Sequence, residues 1–241
     1  MKIIKKTAIA IQARLGSTRY PGKINAKISG KTVLERVVSE CEKTMKYVNR
    51  NTHRHGMLVK MYLLIPEGDD IKAPSNSIKI IRGSEIDVLS RYLKVLEEDD
   101  EIEYVIRITS DCPLIPTSLI NKVITVLNQG NFDFVSNSDP RIRTFWDGAD
   151  VEGMSARILK YMGATFEDPY LREHVTKGLY VNDTPPWFTK AHIFSGVDMS
   201  DIKLSVDDIN DLQKVTENVN SVNAKIEYWE SINGKNGTYH F

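Results

Sequence analysis

Strand-like and helix-like stretches alternate along the first 136 residues of this 241-residue chain, and that alternation restricts its fold more than any other feature. Residues 7–13 (TAIAIQA) form an unbroken apolar run, the pattern of a parallel strand buried on both faces. A turn-rich stretch follows over 14–31. Thr32 and Glu35 then stand at capping-box spacing, and Val33, Leu34, Val37, Val38 and Cys41 give the next helix one apolar face. Residues 46–58 are polar and read as a loop. Residues 61–65 and 78–81 read as strands around a loop rich in Gly, Asp, Pro and Ser. Ser84 and Asp87 signal a helix carrying Val88, Leu89, Tyr92, Leu93 and Leu96. A strand at 104–109, a helix at 116–127 with Gly130 past its end, and a strand at 132–136 complete the series. This order predicts an α/β fold: a mostly parallel sheet with helices on both faces.

After Asp139 the alternation becomes irregular. Residues 140–200 hold aromatics, a Pro-Pro pair and two short β-like runs. They read as a lobe inserted within one domain spanning 1–241. Residues 202–206 return as a strand, and Asp208 with Asp211 opens a last helix.

Charge and composition exclude several classes. Lys+Arg and Asp+Glu both number 32, so no overall basic field exists to hold a nucleic-acid backbone. Trp146, Trp187 and Trp229 sit in no nucleic-acid pattern and read as packing residues. No apolar run reaches the roughly 18 residues of a membrane span. The opening MKIIKKTAIAIQAR meets Gln12 and Arg14 too early for a signal-peptide core. Two cysteines without a CxxC pair, Cys41 and Cys112, suit a reducing setting, so a cytoplasmic protein is expected. His53 and His55 form an HxH in a polar loop with no Cys or carboxylate set around it, and no zinc site is expected there.

Three segments carry chemistry. The first, residues 12–23 (QARLGSTRYPGK), directly follows the first strand, where open α/β sheets bind ligands. Gly16 and Gly22 permit tight turns, Ser17 and Thr18 add hydroxyl donors, and Arg14, Arg19 and Lys23 add three cations, a loop suited to a triphosphate. It is not a Walker A loop: five residues separate the glycines, and Ile24 stands where Ser or Thr would bind Mg²⁺. A solvated basic loop is the bland alternative. The second segment, residues 107–115 (RITSDCPLI), runs an apolar strand into Asp111. The third, residues 204–212 (LSVDDINDL), delivers Asp207 in the same way. Two strand-end carboxylates from distant parts of the chain can share one cation, and with the cationic loop they describe metal-assisted phosphoryl chemistry. Each aspartate alone is equally readable as a turn or cap residue.

The opening IQARLGSTRYPGK resembles the start of the bacterial cytidylyltransferases that activate acidic sugars, including CMP-KDO and CMP-sialic acid synthetases. The SpsF-like branch, associated with spore-coat polysaccharide biosynthesis, is nearer still. It is echoed by Arg82-Gly83-Ser84 with DVLSRY at 87–92, by RITSDCPLI, FDFVSN, DGADVE at 147–152, REHVT at 172–176 and LSVDDINDL, in order from residue 8 to about 215. The resemblance implies the three-layer α/β/α nucleotide-diphospho-sugar transferase fold, Rossmann-like, with a small inserted lobe that holds the acceptor and forms a homodimer. It implies a Mg²⁺-dependent transfer of CMP from CTP to a small acidic acceptor, releasing pyrophosphate, in surface polysaccharide or glycoconjugate biosynthesis. Ala13, Arg14, Gly16, Ser17, Thr18, Arg19 and Lys23 would hold the triphosphate, Arg82, Thr109 and Ser110 would wall the cytidine, and Asp111 and Asp207 would bind the metal. Asp150 and Glu152 alternate along an expected strand and so would face one side, gripping acceptor hydroxyls or approaching the metal, or standing as acidic residues of an exposed edge strand. Arg172 and His174 are further acceptor-side candidates, His174 being equally readable as a structural histidine, with Glu152 or His174 available as a base for a neutral hydroxyl. The chain departs from the KDO-activating pattern at Ser110-Asp111-Cys112-Pro113, where relatives carry Gly-Asp-Glu-Pro, so the role of that Glu does not transfer. The alternatives are a glycosyltransferase consuming a nucleotide sugar and a non-catalytic nucleotide-binding subunit. Cys112 and Pro113 after Asp111 break the Asp-x-Asp motif the first requires.

Overall fold

A computed structural model of the chain describes residues 5–52, 56–181, 184–233 and 239–240. In chain order the elements are β1 (Lys5–Gln12), β2 (Lys27–Ile28), β3 (Lys31–Thr32), α1 (Val33–Arg50), β4 (Met57–Pro66), β5 (Ile78–Gly83) and α2 (Val88–Glu98). There follow β6 (Ile102–Thr109), α3 (Thr117–Asn128), β7 (Phe134–Ser136), β8 (Glu152–Ser155), α4 (Ala156–Thr165), α5 (Pro169–His174), β9 (Lys190–Ile193), α6 (Ile209–Asn233) and β10 (Tyr239–His240). One eight-stranded sheet runs β10-β9-β7-β8-β6-β1-β4-β5, and β2 pairs β3 in a small ribbon.

The expected α/β architecture is present. β1 lies at the centre, parallel to β4 and β6, and buries both of its faces: Ile9 and Ile11 enter one apolar cluster, Ala8 and Ala10 the other. α1, α3 and the first turns of α6 supply the first cluster, and α2 and α4 the second, giving three layers. The sheet departs from parallel at β8, which runs antiparallel to β6 and β7, and at β10 against β9. Residues 140–200, read as an inserted lobe, contribute β8 and β9 to this sheet and α4 to the second cluster.

Local signals explain most element boundaries. Thr32 and Glu35 form the complete capping box of α1. The stretch 46–58, expected as a loop, instead extends α1 to Arg50 and opens β4 at Met57. There Asn49 exchanges hydrogen bonds with the backbone of Val59, so polar residues close the helix against the next strand. Asp87, not Ser84, caps α2 by accepting from the Ser90 amide, while the Ser84 hydroxyl accepts from the Asp87 amide one turn earlier. The expected strand at 202–206 is not part of the sheet. It is held by a single bridge between Lys203 and Asp147 and by the Val206 amide donating to the Asp111 carbonyl at 2.8 Å. Gly148, at φ +103°, packs so closely on this segment that a Cβ would meet the Ser205 nitrogen at 2.5 Å. Asp208 caps α6, as its spacing predicts, by accepting from Asn210 and Asp211.

His53 and His55 lie outside the described residues, as does the side chain of Trp229. Trp146 is buried, whereas Trp187 is partly exposed under a stacked Arg157 guanidinium. No helix among the described residues is long and apolar enough to cross a membrane.

Candidate active site

Parallel β1 and β6 end side by side at Gln12 and Thr109, and the Ser110 amide donates to the Gln12 carbonyl at 3.0 Å. The two loops that leave these ends therefore begin in contact. The first is the cationic loop. Its Leu15 carbonyl accepts from the amides of Ser17 and Gly22, and Gly22 turns through φ +69° into the short 3₁₀ turn that presents Lys23. The second carries Asp111. The 202–206 segment, tied to the Asp111 carbonyl, brings Asp207 alongside.

The two aspartates converge. The Lys23 ammonium lies 2.9 Å from Asp111 Oδ2 and 3.2 Å from Asp207 Oδ1. Arg19 reaches the same Asp207 oxygen at 3.1 Å, and Lys203 the other at 3.2 Å. Burial would raise the Asp207 carboxyl, but the charges of Lys23 and Lys203 hold it below the ordinary carboxylate value. A cleft of about 280 Å³ opens above these groups. Of the residues read from the sequence, Ala13, Arg14, Ser17, Thr18, Arg19, Lys23, Thr109, Ser110, Asp111, His174 and Asp207 line it.

Two carboxylate oxygens that touch one ammonium can touch one metal ion. Mg²⁺ is characteristically held by one or two carboxylates together with substrate phosphates. No third His, Cys, Asp or Glu completes an all-protein metal cage among the described residues. The donor set thus fits a hard divalent cation completed by phosphate oxygens.

Other expected residues lie elsewhere. Gly16 stands off the cleft beside Glu85, whose Oε1 a Cβ would meet at 3.1 Å. Arg82 is exposed and donates to the Asp69 carbonyl at 2.7 Å, while Asp69 Oδ2 accepts from the Leu15 amide at 2.6 Å. Arg82 therefore braces the loop that holds the cationic loop. Arg172 pairs with Asp87 at 2.7 Å and ties α5 to the cap of α2. Asp150 pairs with Arg143 at 2.7 Å, and burial pushes its carboxyl up to about 6 against the pull of that cation. Glu152 is only 3% exposed and pairs with Arg107, while Ser138, Thr176 and Tyr180 donate to its Oε1. Asp150 and Glu152 do not share a partner because β8 starts at Glu152, so strand alternation does not reach back to Asp150.

Sequence reasoning left Gln12, Val88, Arg91, Arg107 and Glu173 unassigned, yet all line the cleft. Two signals were available. Arg107 interrupts an apolar strand, and Arg91 follows Val88 at helical spacing on the apolar face of α2. Arg91 is 1% exposed, its Nη1 donating to the Leu64 carbonyl at 3.2 Å.

No protein-family model matches the chain. It is 28% identical over 217 residues to the uncharacterized protein MJ1063 of Methanocaldococcus jannaschii, covering 86% of this chain and 80% of that one. It is 29% identical over 182 residues to the spore coat polysaccharide biosynthesis protein SpsF of Bacillus subtilis, covering 73% and 69%. Among solved structures, a cytidylyltransferase from Leptospira borgpetersenii superposes with a TM-score of 0.74 at 25% identity, over 98% of this chain and all of that one. A CMP:2-keto-3-deoxy-manno-octonic acid synthetase complexed with CTP gives 0.65 at 15% identity over 90% of this chain and all of that one. The chain is thus similar in sequence to SpsF, and its fold is that of solved nucleotidyltransferases, the cytidylyltransferase from Leptospira borgpetersenii among them.

Proposed function

We propose that this chain, with the fold and the motif series of the cytidylyltransferases, transfers CMP from CTP to a small acidic acceptor and releases pyrophosphate. The observation that carries the reading is the convergence of Asp111 and Asp207 on one cation beside Arg14 and Arg19. An acceptor oxygen attacks the α-phosphorus as the bond from that phosphorus to the β-phosphate bridging oxygen breaks. Arg14, Arg19 and Lys23 bind the β- and γ-phosphates and offset the charge that grows on the leaving pyrophosphate. Asp111 and Asp207 would hold a divalent cation, Mg²⁺ in this reading. When bound, it supplies positive charge to the phosphate oxygens.

Thr109, Ser110 and the Ala13 backbone form the wall against which the nucleoside rests. The acceptor lies toward Arg107, Glu173 and His174. An ionised acceptor needs no base. For a neutral hydroxyl, His174 on the cleft wall is the group that can take the proton; burial and the nearby cations Lys177, Arg107 and Arg14 outweigh Glu173 and lower its pKa, which keeps the imidazole unprotonated and free to accept. Glu152, buried and fully engaged, acts in another way. A homodimer in the cytoplasm serving surface polysaccharide assembly belongs to the same proposal. SpsF, a polysaccharide biosynthesis protein by name, supports that setting.

The test is a screen of the four nucleoside triphosphates against a panel of sugar acids, sugar phosphates and phosphonates, reading pyrophosphate. Release from CTP with at least one acceptor is expected. Release of a nucleoside diphosphate from a nucleotide sugar would replace this reading with a glycosyltransferase. CTP binding without turnover across the panel would replace it with a nucleotide-binding subunit.

A further inference from the structure

We propose that Thr176 and Glu152 are positioning residues that set His174 on the wall of the cleft through a strained turn at Val175; the kinetic part of this inference rests on the function proposed above. α5 ends at His174, and the chain reverses at once. Val175 has φ +56° and ψ −74°, and the Thr176 amide donates to the His174 carbonyl at 2.7 Å, which closes a γ-turn of positive φ. A β-branched residue adopts that conformation only where its surroundings enforce it.

Two contacts enforce it. The Val175 side chain is fully buried in the second apolar cluster. The Thr176 hydroxyl, itself in a residue only 2% exposed, donates to Glu152 Oε1 at 2.8 Å. The other Glu152 oxygen pairs with Arg107, which lines the cleft with Glu173 and His174. One buried carboxylate thereby fixes both a cation in the cleft and the turn that presents the imidazole. His174 is also held edge-on to Tyr170, with ring centroids 4.4 Å apart. The charged groups facing it are Glu173, Lys177, Arg107 and Arg14.

The experiment compares Thr176→Val, which removes the hydroxyl at equal size, with Thr176→Ser, which keeps it. Ser138→Ala removes a different donor, 3.1 Å from the same Glu152 oxygen but carried on the segment after β7 rather than on the turn. NMR of the nucleotide-free protein follows the ring-current shift and titration of His174, and steady-state kinetics follow pyrophosphate release. Thr176→Val is expected to erase the Tyr170-dependent shift, bring the His174 titration toward its ordinary value and lower kcat by about ten- to a hundredfold, the scale of an ångström-level misplacement. The KM for CTP should stay within about twofold, as a displaced acceptor-side group leaves nucleotide contacts in place. Thr176→Ser should restore both signals, and Ser138→Ala should leave both unchanged. Wild-type His174 signals in Thr176→Val, or equal loss in Ser138→Ala, would overturn the inference. If neither the wild-type protein nor any variant releases pyrophosphate while the His174 signals still move, the positioning stands and the enzymatic reading fails. Should Thr176→Val not fold, Thr176→Ala carries the same comparison.

Discussion

The Val206 amide donates to the Asp111 carbonyl at 2.8 Å, and that bond sets how the two carboxylates of the site face each other. Asp207 is the next residue after Val206. Its position is therefore fixed by the backbone of the other aspartate, and Lys23 reaches both. A segment outside the sheet thus acquires the placement of a strand end.

Asp111→Asn keeps shape and hydrogen-bonding capacity but removes a charge from the cation position. Turnover is expected to fall at least about a hundredfold, the scale of a lost group that stabilises developing charge. Asp111 is part-exposed and lies outside both apolar clusters, so the thermal midpoint should stay within a few degrees. Pyrophosphate release and a melting curve on the same preparation check both halves.

Lys23→Ala removes a cation bonded to Asp111 and Asp207. CTP affinity is expected to drop about ten- to a hundredfold, in line with a charge-assisted hydrogen bond. An unchanged calorimetric titration with CTP would take Lys23 out of the nucleotide site.

Glu152→Gln leaves the Arg107 guanidinium buried without its counter-charge, an effect of about 3–5 kcal/mol at neutral pH. Burial raises the Glu152 carboxyl, but Arg107, Tyr180 and Thr176 more than offset it, and its folded pKa lies below the ordinary 4.5. A carboxyl depressed by folding contributes stability that is present above the unfolded value and lost as pH falls through the folded one. The gap between wild type and variant should therefore be full above about pH 4.5 and shrink below it, as read by urea unfolding across pH. A constant gap down to pH 3 would contradict the charge pairing.

Gly148→Ala would drive a Cβ to 2.5 Å from the Ser205 nitrogen at a φ of +103°. A destabilisation of about 1–3 kcal/mol is expected from the backbone alone, with more from the overlap. Because the displaced segment carries Asp207, CTP affinity should fall together with stability. Wild-type affinity in a folded Gly148→Ala protein would show that the close approach does not hold Asp207.

Much of this arrangement was legible in the sequence because its signals are local. The run TAIAIQA gave β1, Thr32 and Glu35 gave the start of α1, and the glycines and cations of 14–23 marked a loop at a strand end. Asp111 and Asp207 were legible as strand-end carboxylates, although Asp207 arrives on a pinned segment that is not a strand. What failed depended on tertiary partners. Glu152 and Asp150 have the same chemistry in sequence, but a buried arginine takes one and Arg143 the other. Arg82 reads as a ligand-facing cation until its guanidinium is seen bracing the Asp69 loop. The reversal at Val175 has no sequence signature, since a buried valine at positive φ is held only by contacts far along the chain.

The most direct test of the account is a double-mutant cycle at Asp111 and Asp207, read as the Mg²⁺-dependent part of CTP binding by calorimetry. If both carboxylates hold one ion, Asp111→Asn and Asp207→Asn should each abolish most of the metal-dependent affinity, and the double variant should lose little more. Losses that simply add, or metal-dependent binding that survives either substitution, would contradict a shared cation.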